Sequence, residues 1–163
     1  MSKLNDLYKN MIEFYSGDPK RIQHFVKVHS FAKLIGEEEG LDEATQYILE
    51  AAAYVHDIGI RPAEEKFRSS TGKLQEQEGP AEAEKMMQKL GFDNKVIERV
   101  SYLVGHHHTY SNIDGDDYQI LVEADFLVNY FEDEIDKETI RNSVDKIFKT
   151  STGKKIACEM FLQ

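Results

Sequence analysis

Six histidines occupy four places in this 163-residue chain: His24, His29, His56 and the run His106-His107-His108. An adjacent His56-Asp57 pair and an isolated Asp125 extend the set of side chains with chemical reach. Imidazoles and carboxylates together suit a divalent transition ion, and an ion held that way makes a water molecule nucleophilic near neutral pH. Such chemistry requires convergence. His24 lies four residues before Val28 and eight before Ala32, and His56 follows Val55. His107 is three after Val104, and Asp125 is four after Leu121 and three before Val128. Each shares the apolar stripe of a helix and is expected to point inward. An ionised carboxylate there is costly unless paired or metal-bound. A common ion explains the set better than four separately satisfied core residues.

His56 and Asp57 diverge by about 100° on a helix. Gly59 places them at a helix end, where both can turn toward one ion. The Asp57 carboxylate is then suited to bridge two ions or to orient a bound water.

The elements that must position these residues read as helices almost throughout, with no strand signal. A first stripe runs from Leu4 to Tyr15 and stops at Gly17. Asp18 can cap a second helix with Pro19 in its first position, and Asp42 can cap a third that Gly59 and Pro62 break. Residues 60–79 lack a clean period and read as a long loop. Pro80 is expected to open a short helix that ends at Gly91, and Asp93 to cap the next. Thr109 to Asp117 reads as a polar loop before a helix through Leu121, Ala124 and Val128. Asp136 can cap another, and Thr152-Gly153 precede a last one. The expectation is one all-α domain over residues 1–163, a compact helical bundle of about seven or eight helices. Its metal-site core spans about 20–130, with C-terminal helices at 136–162 packed on it.

Thirty acidic against twenty basic side chains give a formal net charge of -10, which argues against a nucleic-acid polymer as partner. A small phosphorylated substrate needs only a few local cations. A lone Cys158, a polar opening stretch from Met1 to Asn10, and no apolar run near the ~20 residues of a bilayer span lead to the expectation of a cytoplasmic protein without membrane contact. Phe14, Tyr130 and Phe131 offer apolar contact for a homodimer.

The segments "RIQHFVKVHSFAKLIG", "AAAYVHDIG", "YLVGHHH" and "LVEADFL", taken in order, resemble the HD-domain superfamily of metal-dependent phosphohydrolases. The resemblance implies that His24, His56, Asp57 and Asp125 hold one ion: manganese, iron, cobalt, nickel or zinc by ligand type. It further implies that His106 and His107 match the histidine pair of two-metal members, while His108 faces solvent or substrate. His29 matches no ligand and reads as structural. Gln75 stands where two-metal members carry a histidine, so a second ion is conditional, with Glu76 or Glu78 as stand-in. Ile60 stands where many members have a lysine, and Arg61 comes one residue late. Arg61, Lys66, Arg68 and Lys73 make the 60–79 segment locally basic, suited equally to binding phosphate and to a solvated surface loop. Gln75, Glu78 and His108 join them as residues expected near the substrate.

The implied activity is hydrolysis of a small phosphate ester or nucleotide, as a phosphomonoesterase or phosphodiesterase. Asp57 would hold or deprotonate the water, and His106 or a loop cation would stabilise the leaving oxygen. The alternatives are a di-iron oxidoreductase on the same scaffold, which Gln75 disfavours, and a module that binds a phosphorylated ligand without turnover. Two further motifs fail on their spacing. "SSTGK" has Phe67 and Leu74 where a P-loop needs Gly and Ser or Thr. "NIDGDDYQILVE" has Asp117 where a calcium loop needs Gly.

Overall fold

Short polar side chains set most of the helix starts. Ser2, Asp18, Asp42, Thr71, Asp93, Asp136 and Thr150 each accept a hydrogen bond from a backbone N–H in the following first turn. They open α1 (Lys3–Phe14), α2 (Pro19–Glu38), α3 (Glu43–Val55), α5 (Gly72–Lys89), α6 (Asn94–Val104), α8 (Lys137–Ile147) and α9 (Ser151–Phe161). The remaining two, α4 (Ile60–Phe67) and α7 (Asp116–Glu132), start at glycines without a side-chain cap. The structure is a computed structural model that describes residues 2–163; Met1, from the polar opening stretch, lies outside it. Among the described residues there are nine helices and no strand, and no helix is long and apolar enough to cross a membrane.

The helices that carry the chemical residues are the ones that pack together. α2, α3 and α7 contact one another pairwise; α6 adds to α3, and α5 to α6. Ala51, Ala52 and Ala53 are fully buried on α3 and let its neighbours approach closely. α7 is buried around most of its circumference, as a central helix must be. Phe25, Val28, Ile35, Leu49, Val55, Leu103, Leu121 and Leu127 fill the space between, all nearly or fully buried. Each such side chain contributes roughly 1.5–3 kcal/mol of apolar burial, so the backbone around the site is held by packing.

Residues 60–79 are not a loop. α4 occupies Ile60–Phe67, and α5 begins at Gly72, with Pro80 inside it rather than at its start. The inward stripe of α5 is Gln75, Gly79, Ala83 and Met87, spaced by four. Its first two members are a polar residue and a glycine, so a search for apolar periodicity finds only the second half. Both glycines at this contact are required: a Cβ on Gly59 would lie 2.8 Å from the Gly79 nitrogen and 2.5 Å from the Gln75 carbonyl oxygen, and a Cβ on Gly79 would lie 2.6 Å from Val104 Cγ1. The turn after α3 and the middle of α5 thus meet backbone to backbone, which brings Gln75 over the His56-Asp57 turn. α4 raises the helix count above seven or eight.

The last helix also starts earlier than expected, with Thr150 as its cap and Gly153 in its first turn. Glu123, fully buried on α7, accepts from the Lys149 and Thr150 backbone N–H groups, the Thr150 hydroxyl and the Gln119 amide. A Cβ on Gly153 would collide with that carboxylate. Of the aromatics expected at a dimer contact, Tyr130 is buried beside Phe148 and Phe161, and Phe14 lies partly beneath Arg61, whereas Phe131 is exposed. In the 109–117 loop, Asp114 and Asp117 are both taken by Arg99, which accounts for that acidic run.

Candidate metal centre

His24 projects from the second turn of α2, His56 ends α3, Asp57 follows in the turn, and Asp125 projects from the middle of α7. His24 Nε2 lies 3.1 Å from Asp57 Oδ2, 3.1 Å from Asp125 Oδ1 and 3.2 Å from His56 Nε2. His56 Nε2 lies 3.4 Å from Asp57 Oδ2 and 3.5 Å from Asp125 Oδ1. Donors about 2.1 Å from one ion stand about 3.0 Å apart on an octahedral edge and about 3.4 Å on a tetrahedral one. The observed separations, 3.1 to 3.5 Å, match one or other of those edges to within about 0.2 Å.

The hydrogen bonds on the far side of each ring fix what faces inward. His56 Nδ1 donates to the Ala53 carbonyl at 2.8 Å, and His107 Nδ1 to the Val104 carbonyl at 2.8 Å. His24 Nδ1 donates to Glu132 Oε1 at 2.6 Å, and Lys27 pairs with the other Glu132 oxygen at 2.7 Å. Carbonyls and carboxylates only accept, so each Nδ1 carries the proton and each neutral ring presents an Nε2 lone pair to the centre. Lone pairs facing carboxylate oxygens repel unless a cation stands between them. His107 Nε2 makes the point most directly: it is buried, has no hydrogen-bond partner, and lies 3.4 Å from Asp57 Oδ1. The donor set fits a divalent transition ion.

Without a metal, protons are the cation that remains. Burial opposes a charge on His24, but hydrogen bonds to Asp125 and Asp57 outweigh it and push its pKa to about 11. Burial likewise opposes the charge on Asp57, yet His56, His107 and His24 hold that carboxyl well below its usual range. Asp125 is lowered too, burial being outweighed by His24 and His56.

Two donor groups share Asp57: one with His24 and His56, the other with His107 and His108. Asp125 joins the first through its contacts to both imidazoles. The expected pairing of His106 with His107 is corrected by the geometry. His106 turns outward, donates Nδ1–H to the Tyr102 carbonyl and stacks on the Tyr102 ring, away from Asp57. Past the end of α6, successive residues point in different directions, and His107 and His108 are the two that face in. His108 is neutral: burial first and then His107 lower its pKa to about 4. Its Nε2–H donates to Gln75 Oε1 at 2.8 Å, while Gln75 Nε2 donates to the Ser70 carbonyl at 2.7 Å. Gln75 thus meets His108 edge on. Glu76 does not substitute for a missing ligand, because it accepts from the His108 backbone N–H and the Thr109 hydroxyl. Glu78 pairs with Lys66. His29 pairs with Glu50 and stacks on Tyr54, outside the cluster.

His24, Asp57, His108 and Asp125 line a cavity of about 420 Å³, with His56 and His107 buried behind them. None of Arg61, Lys66, Arg68 and Lys73 lines it; Gln75 and His108 do. Arg61 donates to the Phe14 carbonyl and lies over the Phe14 and Tyr15 rings, so it ties α4 to α1. Lys66 is occupied by Glu78, and Arg68 sits at the left-handed C-terminal residue of α4. The cations on the cavity wall are Lys20 and Arg21, from the first turn of α2. Their signal in the sequence was their position one turn before His24. Glu132 was also legible in principle, since it lies seven residues after Asp125, two turns along the same face. Tyr15, whose hydroxyl donates to the Asp57 carbonyl, left no such signal.

Comparisons with known proteins bear on the family and the fold. The HD domain family profile matches residues 21–148. A solved structure described as a predicted HD superfamily hydrolase, from an uncultured Thermotogales bacterium, superposes with a TM-score of 0.69 at 25% identity, covering 97% of this chain and 84% of that one. A search of curated proteins found no match.

Proposed function

The chain belongs to the HD domain family, and from that premise we propose that it is a metal-dependent phosphohydrolase of small phosphate esters. The observation that carries this reading is the convergence of the His24, His56 and His107 Nε2 lone pairs on the Asp57 and Asp125 carboxylates, beside a cavity that His24, Asp57 and Asp125 line together with Lys20 and Arg21. His24, His56, Asp57 and Asp125 would hold the first ion, and Asp57 with His107 and His108 a second. When bound, a divalent ion polarises a phosphoryl oxygen and lowers the pKa of a water toward neutrality.

The chain's own residues supply orientation and charge. Asp57 faces both donor groups and is placed to orient the attacking water and accept its proton. Glu132 keeps the His24 proton on Nδ1, and Lys27 holds Glu132 in place. Lys20 has no ion pair among the described residues, and Arg21 is shared with Asp18 and Glu64. Both can neutralise phosphoryl oxygens, as charge-assisted hydrogen bonds do.

The reading is tested with a panel of phosphate monoesters and diesters in the presence of manganese, comparing the native protein with Asp57→Ala. Hydrolysis of at least one ester by the native protein, lost in the variant, supports it. Two irons per chain with oxygen consumption, and no ester cleaved, would replace it with the oxidoreductase reading.

A further inference from the structure

A second cavity, of about 260 Å³, adjoins the metal cavity, and the two share Asn129 and Asp133 as walls. Asn129 belongs to the last turns of α7, and Asp133 is the residue that caps its C-terminal end. Asn129 donates to Asp125 Oδ1 at 3.1 Å, so the partition begins at the metal ligand itself. Asp133 lies eight residues past Asp125, about 12 Å along the helix. Tyr110, Phe126, Tyr130 and Ile135 give the other walls their flat and apolar faces, and Thr139 and Ser143 add two hydroxyls. Tyr110 and Phe126 stand with ring centroids 5.1 Å apart and tilted by 55°. The Tyr110 hydroxyl is held neutral, its pKa pushed to about 12 by burial first and then by the Asp125 charge.

We propose that this second cavity is the subsite for a planar ring on the alcohol portion of the phosphate ester, with the phosphoryl group at the metal centre and the ester passing over Asn129. The proposal rests on the phosphohydrolase reading. Its volume suits one aromatic ring system, and aromatic walls favour a ring over an equally apolar flexible chain. Asp18, Lys20 and Arg21 supply another part of the metal cavity's wall, where charge replaces the aromatic rings.

The test uses two pairs of probes with matched primary-alcohol chemistry. In manganese-loaded protein, calorimetry compares 3-phenylpropylphosphonic acid with hexylphosphonic acid, and phosphate release compares the corresponding phosphate esters. The native protein is expected to favour the phenyl compound about fivefold in both measurements. Tyr110→Ala, at an exposed loop position, is expected to bring that ratio close to one, while Tyr110→Phe retains it. Equal binding of the two phosphonates, binding of neither, or a preference that survives Tyr110→Ala overturns the subsite. A phenyl preference in binding with no cleavage of these two esters or of any ester in the panel retains the subsite and sinks the phosphohydrolase reading. Equal cleavage of both esters does the reverse.

Discussion

Glu123 and Asp125 stand two residues apart on α7, and both are buried carboxylates. Their surroundings differ in kind. Glu123 accepts four hydrogen bonds from an amide, a hydroxyl and two backbone N–H groups, which is close to all that a carboxylate can use. It fastens the α8–α9 junction to the central helix. Asp125 accepts from Asn129 and otherwise faces imidazole nitrogens whose protons are committed elsewhere. A buried carboxylate is therefore no sign of function by itself. The sign is a set of neighbours that leaves a cation wanting.

Four experiments separate the two sites, given from the largest expected effect to the smallest. Asp125→Asn should lower manganese affinity on the order of a thousandfold, beyond the ~10–100-fold that follows from changing an outer partner of a ligand. Calorimetric titration reads this, and an affinity within tenfold of the native value would break the contrast. Glu123→Ala should leave that affinity within about twofold. It orphans several buried donors and should cost about 3 kcal/mol of stability, read as a fall of about 6–12 °C in the unfolding midpoint.

Glu132→Gln keeps a hydrogen-bond acceptor for His24 Nδ1 but removes the charge, and should weaken manganese binding about tenfold with little change in the stability of the metal-free protein. An unchanged affinity would show that His24 needs only an acceptor, as His56 and His107 do.

The fourth experiment varies pH. The His24 pKa is raised, to about 11, so its contribution to metal-free stability is complete below the ordinary histidine value of about 6.5 and disappears as pH rises through about 11. The Asp57 and Asp125 values are depressed, so theirs is present above about 3.9 and is lost as pH falls. The metal-free cluster therefore supports the fold most between about pH 4 and 6.5. A metal must displace the His24 proton, so the rise in unfolding midpoint on adding manganese should be larger at pH 8 than at pH 6. An equal or smaller rise at pH 8 would contradict this protonation scheme.

The first donor group was legible because its residues lie on helices with ordinary stripes. Val28, Ala32, Val55, Leu121 and Val128 announce the faces on which His24, His56 and Asp125 sit, and Asp18, Asp42, Asp93 and Asp136 mark helix starts that the structure shows. The α4–α5 region was not legible for the same reason in reverse. A helix that covers a polar site buries Gln75 and Gly79 where others bury leucine. Its exposed lysines and arginines then read as a basic loop, although Arg61 and Lys66 are spent on fold contacts. The choice between His106 and His108 depended on the turn after α6, where helical spacing no longer fixes direction. Lys20 and Glu132 lie at simple helical spacing from His24 and Asp125, but the sequence analysis singled out neither.

The central claim is that a cation belongs among His24, His56, Asp57 and Asp125 and not around Glu123. Elemental analysis of protein purified without chelator and then equilibrated with manganese tests it directly, on the native chain, Asp125→Asn and Glu123→Gln in parallel. The predicted result is at least one bound ion per chain in the native protein and in Glu123→Gln, and at least one fewer per chain in Asp125→Asn. A native protein that retains no metal, or an Asp125→Asn variant that retains as much, would contradict the account.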